Sequence, residues 1–122
     1  MNAPARAYAR TARIAMTTRE IEASLLVQCA VDIERARACT DDARALPDAL
    51  TANCRVWHEL AEGAAANDGA PIELRAGTLR LARFVMASTR KILETPDPVA
   101  VQTLIDINRT LAAGLRGSAG PA

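Results

Sequence analysis

Leu104-Ile105-Asp106-Ile107-Asn108-Arg109-Thr110-Leu111-Ala112-Ala113-Gly114-Leu115 is the stretch whose periodicity decides the fold class. With Val101 ahead of it, Leu104, Ile105, Asn108, Leu111, Ala112 and Leu115 recur at spacings of three and four, the apolar stripe of an amphipathic helix. Asn108 is the anomaly. A carboxamide inside such a stripe forfeits about 1–3 kcal/mol unless its hydrogen bonds are met. A polar group placed there either pins the helix in one register or belongs to a binding surface.

Ahead of this stretch, Thr95-Pro96-Asp97-Pro98 ends one helix and starts the next, with Asp97 as N-cap and Pro98 at the first helical position. Gly114 or Gly117 stops that helix. A third helix runs from near Pro71 to Leu93 through Leu74, Leu81, Phe84, Val85, Ser88 and Ile92, weakened locally by Gly77. Asn67-Asp68-Gly69-Ala70-Pro71 is the strongest break in the chain. Before it, Leu46, Leu50, Asn53, Cys54, Trp57, Leu60, Ala61 and Ala64 mark a second helix, opened by Pro47 and Asp48, with Thr40-Asp41-Asp42 as the turn or cap preceding it. Asn53 interrupts this stripe as Asn108 interrupts the last one. The first helix is expected over about residues 18–39, started by a Thr17-Thr18-Arg19-Glu20 capping box and carried by Ile21, Leu25, Leu26, Cys29, Ile33 and Ala36.

No period-two runs call for strands. The predicted architecture is therefore all-α: a small antiparallel bundle of about four helices over residues 17–116. Residues 1–16 form a basic N-terminal arm or short helix, and residues 117–122 a disordered tail. The chain is 122 residues long, enough for one domain that folds without metal or disulfide. Half of it is hydrophobic but only 2% is aromatic, so the apolar mass is mainly alanine, leucine, isoleucine and valine, which pack helices closely and leave few large side chains to shape a ligand pocket. The formal net charge of +1 supports no bulk attraction to nucleic acid or an acidic membrane. Cys29, Cys39 and Cys54 are odd in number and lack paired spacing, which suits reduced thiols in a cytoplasm. No apolar run is long enough to span a bilayer and no signal-peptide core is present. The acid-free start resembles a transit peptide in composition, but nothing marks where such a peptide would end.

Enzyme signatures are missing: there is no glycine-rich phosphate loop, serine elbow or recognisable carboxylate pair, and catalysis is not expected. Cys54, His58 and Glu62 stand at i, i+4 and i+8, but three ligands on one straight helix do not converge on a zinc ion. His58 as an exposed neighbour of Glu62, with Cys54 in the core, is the simpler reading, and no cofactor or metal is expected. Arg80, Arg83, Arg90 and Lys91 give the third helix a basic side. It is either an RNA-contacting face or a solvated face paired with Glu73 and Glu94; without an aromatic stacking platform the second is favoured. Trp57 reads first as a core residue and second as an interface anchor. Asn53 and Asn108 read as buried polar pins bonded to each other or to backbone carbonyls, or as amides facing a bound helix.

Taken in order, these residues resemble the FlaF family of flagellar biosynthesis regulators of alphaproteobacteria, from about Tyr8 to Leu115. The resemblance rests on Tyr8 before Arg19-Glu20-x-Glu22, on Leu50-x-x-Asn53-x-Arg55-x-Trp57, on Asn67 ahead of Pro71 and Leu74-Arg75, and on Leu104-Ile105-Asp106-Ile107-Asn108-Arg109 closing in Gly114-Leu115. One departure is Phe84, where tryptophan is expected in much of the family. The resemblance implies a cytoplasmic helical protein that promotes flagellin synthesis, opposes the repressor FlbT and associates with flagellin before export. Under this reading the second and fourth helices form a groove for an amphipathic flagellin segment, with Asn53, Arg55, Trp57, Asn108 and Arg109 beside it. The alternatives are direct binding of flagellin message through Arg80, Arg83, Arg90 and Lys91, and a helical adaptor acting through FlbT.

Overall fold

The computed structural model describes residues 3–67 and 69–117, apart from the side chains of 14–17, and places them in four helices: α1 (Ala3–Ala38), α2 (Ala45–Ala66), α3 (Ile72–Glu94) and α4 (Pro98–Gly117). No strand occurs among the described residues. The expected tail beyond Gly117 lies outside them.

α1 is longer than its apolar periodicity predicts. It runs unbroken through the expected cap at Thr17-Thr18-Arg19-Glu20 and starts at Ala3. Pro4 sits in the first turn, where its missing N–H is harmless, and no glycine or proline follows before Ala38. The arm is rich in alanine and arginine, both strong helix formers, so local propensity carries the helix back past the last residue that packs. Glu20, expected to cap, instead reaches across to Arg116 of α4 at 3.0 Å. The Thr17 hydroxyl of the expected cap lies outside the described side chains. The buried face of α1 is Ala23, Leu26, Cys29, Ala30 and Ile33, while Ile21 and Leu25 stand exposed, so the packed stripe is rotated from the expected one.

That rotation lets the small side chains of Ala23, Ala30 and Ala112 enter the core together with Leu26, Ile33, Val101, Leu104 and Ile105. Three cross-links follow the α1–α4 seam in opposite order along the two helices: Arg116 with Glu20 and Ser24, Arg109 with Glu34, and Arg37 with Gln102. Between α2 and α3, the Asn67 side chain accepts from the Gly69 amide at 3.2 Å and makes the tight turn. Arg75 then folds back, donating from Nε to the carbonyl of Ala64 at 2.9 Å and from Nη2 to that of Ala65 at 3.0 Å. Those carbonyls belong to the last turn of α2 and have no intrahelical partner, so the guanidinium serves as a C-terminal cap. Asp97 caps α4 as expected, accepting from the Ala100 amide at 3.1 Å.

α1 packs on α2 and α4, and α3 packs on the same two helices. α2 and α4 are therefore placed diagonally, as are α1 and α3. The α1–α4 contact is the most extensive, and α3 and α4 meet over the shortest stretch of any neighbouring pair. No helix among the described residues is long and apolar enough to cross a membrane.

Candidate functional site

Two features stand out where the stripes lead: a polar cluster at the centre and an open seam at the surface. At the centre, Trp57, Asn53 and Asn108 are all fully buried. The Trp57 indole N–H donates to Asn108 Oδ1 at 2.9 Å, and Asn108 Nδ2 donates both to the Leu26 carbonyl at 3.0 Å and to Asn53 Oδ1 at 2.8 Å. The indole can only donate and the Leu26 carbonyl can only accept, so these two partners settle which way the Asn108 amide points. One side chain of α4 thus ties down α2 and α1 together. Asn53 Nδ2 is left without a hydrogen-bond partner among the described residues, a desolvated donor that costs about 1–3 kcal/mol.

This arrangement departs from the expected groove between α2 and α4. The two helices meet only through side chains in the middle of the molecule, and a partner would have to open the core to touch Asn53, Trp57 or Asn108. Of the bound-helix and buried-pin readings of the two asparagines, the geometry matches the pin. Arg55 projects from α2 to solvent. Arg109 is half exposed and pairs with Glu34 of α1 at 3.1 Å, on the opposite side of α4 from α3. The five residues expected to share a groove therefore divide into a buried triad and two separate surface cations.

Arg80, Arg83, Arg90 and Lys91 are all exposed on α3, and none is ion-paired with Glu73, Glu94 or another described carboxylate. His58 pairs with Glu62 at 3.0 Å on the surface of α2, and Cys54 packs against the core, as the simpler reading of that trio has it. No group of three metal-ligating side chains gathers among the described residues. The three cysteines are free. Burial, with a smaller effect of Asp32, pushes the Cys29 thiol up. The Cys39 thiol is also raised, chiefly because it donates to Asp41 Oδ1 at 3.4 Å, so neither is poised as a thiolate.

The open seam runs between α3 and α4. One hollow of about 390 Å³ is lined by Leu81 of α3 and by Thr103, Asp106, Ile107, Thr110, Leu111 and Gly114 of α4. A second, of about 290 Å³, lies at the corner between the two helices, lined by Lys91, Ile92 and Glu94 of α3 and by Pro96, Asp97 and Ala100. Both lie where the helices barely touch. Leu81, Ile107 and Leu111 were legible as stripe residues but not as a lining, because periodicity marks an apolar face without saying whether a neighbour covers it.

The family model described as flagellar protein FlaF matches residues 4–115, from the first turn of α1 almost to the end of α4. The chain belongs to the FlaF family. Membership implies a part in flagellar biogenesis or its regulation. The match spans both asparagines, Trp57 and the whole α3–α4 seam. Neither a curated protein nor a solved structure matches the chain.

Proposed function

We propose that this protein is a non-enzymatic cytoplasmic regulator that binds flagellin, promoting its synthesis and export by holding an amphipathic flagellin segment against the α3–α4 seam. The four helices act as an antiparallel bundle that presents this seam as a rigid surface. The observation that carries the reading is the seam itself: Leu81, Ile107 and Leu111 form an apolar floor between two helices that do not close over it. Such a floor matches a helix offering anchors at i, i+3, i+4 and i+7. The protonated thiols and the surface pairing of His58 agree with a protein that works by binding rather than by chemistry.

Co-purification with flagellin tests this. Thr110 is exposed and lines the seam, so Thr110→Arg fills it without disturbing the core. Flagellin recovery is expected to fall with Thr110→Arg and to persist with Arg109→Glu, whose side chain faces α1. Full recovery by a folded Thr110→Arg protein would remove the seam from the mechanism. One observation favours a second reading: the exposed, unpaired cations Arg80, Arg83, Arg90 and Lys91 share one helix, as a phosphate-binding face requires. Gel-shift titration with the flagellin leader RNA separates the two, since RNA binding through that face weakens steeply with salt. An adaptor role towards FlbT is distinguished by pull-down with FlbT in the absence of flagellin.

A further inference from the structure

The two walls of the α3–α4 seam differ in charge. On α3, Arg80, Phe84, Ala87 and Lys91 stand at i, i+4, i+7 and i+11, a single column along the helix. Lys91 lines the corner hollow, and Phe84 stands three residues after Leu81 and four before Ser88, which line the longer and the corner hollow. This column therefore runs along the rim of the seam, with Arg80 one turn from Phe84. Arg80 and Lys91 are exposed, and Phe84 between them is a large apolar side chain left 47% exposed. Arg83 and Arg90 flank the column, and the helix holds no acid between Glu73 and Glu94. In the longer hollow the α4 wall carries hydroxyls from Thr103 and Thr110 and one charge, Asp106, whose Oδ1 already accepts from Gln102 Nε2 at 2.9 Å. Glu94 and Asp97 line the corner hollow at the far end, beside Lys91.

Building on the reading of the seam as a partner site, we propose that its occupant is an amphipathic helix with acidic residues along one edge. Its apolar face lies on Leu81, Ile107 and Leu111, and its acidic edge runs along α3. Arg80 and Lys91 are eleven residues apart, about 16 Å at 1.5 Å per residue, so the matching carboxylates stand three turns apart on the partner. Because only one wall is cationic, the charges orient the partner as well as attract it. The apolar floor favours a helix over RNA, which would use the cations and leave the floor and Phe84 uncovered. Charge also disfavours a second copy's N-terminal arm, since Arg6, Arg10, Arg13 and Arg19 precede the first acid, Glu20, and would set cation against cation.

The test measures flagellin affinity by calorimetry for the wild type, Arg80→Glu/Lys91→Glu, Arg80→Gln/Lys91→Gln and the seam-filling Thr110→Arg, with folding checked by circular dichroism. The reversal is expected to weaken binding about tenfold at low salt, the neutral pair less, and the differences to shrink as salt screens the charges. Loss with Thr110→Arg but wild-type affinity for the reversal would overturn the charge assignment and leave the flagellin reading standing. If the wild type does not bind flagellin, that reading fails, and two synthetic amphipathic peptides of identical apolar face, one glutamate-edged and one lysine-edged, still decide the charge proposal. Preference for the glutamate edge that disappears in the reversal supports it, and equal or absent binding overturns it. Two further results would overturn it: tight leader-RNA binding that the reversal abolishes, and a dimer in light scattering that Thr110→Arg dissolves.

Discussion

Asn108 is the residue on which the packing of three helices turns, because its one carboxamide makes three hydrogen bonds in a site with no access to water. Removing it leaves the Trp57 N–H, the Asn53 oxygen and the second lone pair of Leu26 without that partner, and Asn108→Ala is expected to cost about 2–4 kcal/mol in urea unfolding. Asn53 accepts one hydrogen bond, from Asn108, and carries an orphan donor, so Asn53→Ala should cost less than Asn108→Ala by the same measurement. Equal costs would mean that volume, not hydrogen bonding, dominates the site. Trp57→Phe retains an aromatic core residue but deletes the indole donor; a loss of about 1–3 kcal/mol is expected, part of it cavity. Glu22 carries a different kind of residue-level signal. Burial raises its carboxyl above the usual range, with Arg19 pulling part of the way back. The folded protein then holds this proton more tightly than the unfolded chain, so the contribution to stability falls as pH rises from the ordinary carboxylate range through the raised value. Glu22→Gln should accordingly raise the melting temperature at neutral pH, with the gain fading in acid below that range.

At the scale of single helices, local signals and tertiary contacts divide the work. Asp97 before Pro98 is a cap written in two adjacent residues, and Asp97→Ala should cost about 1 kcal/mol in thermal unfolding. Gly77 lies inside α3 with nothing within 4 Å of where a Cβ would stand. Gly77→Ala should therefore stabilise the protein by about 0.5–1 kcal/mol, read as a melting temperature a few degrees higher. Breaks were legible because proline, glycine and asparagine act on their immediate neighbours. The start of α1 was not, since a capping box in the sequence signals an N-terminus only if the chain before it leaves the helix. Alanine and arginine gave it no reason to leave, and Glu20 found a partner ninety-six residues away instead. The buried stripe of α1 is rotated from the one its larger apolar residues mark for a related reason: alanine counts little in a hydrophobic pattern, yet Ala23 and Ala30 take the places in the core that Ile21 and Leu25 do not.

For the molecule as a whole, the charges that nearly cancel in the total are spread unevenly over the surface. Fifteen cations and fourteen anions leave +1, yet the arm before Glu20 and the stretch of α3 between Glu73 and Glu94 hold cations alone. Neutrality by count therefore hides two basic surfaces, one of them beside an open apolar seam. The all-helical class, the breaks at Asn67 and Pro96, and the membership of residues 4–115 in the FlaF family could be reached from the chain alone, because helix periodicity, caps and motif order are properties of residues close in sequence. Where Asn53, Trp57 and Asn108 stand could not. An asparagine on an apolar stripe looks the same whether it faces a partner or a neighbouring helix, and only packing chose the latter. Packing likewise left α3 and α4 apart while closing α1 on α4, because burial depends on what the rest of the chain brings against a face, and no face carries that information itself.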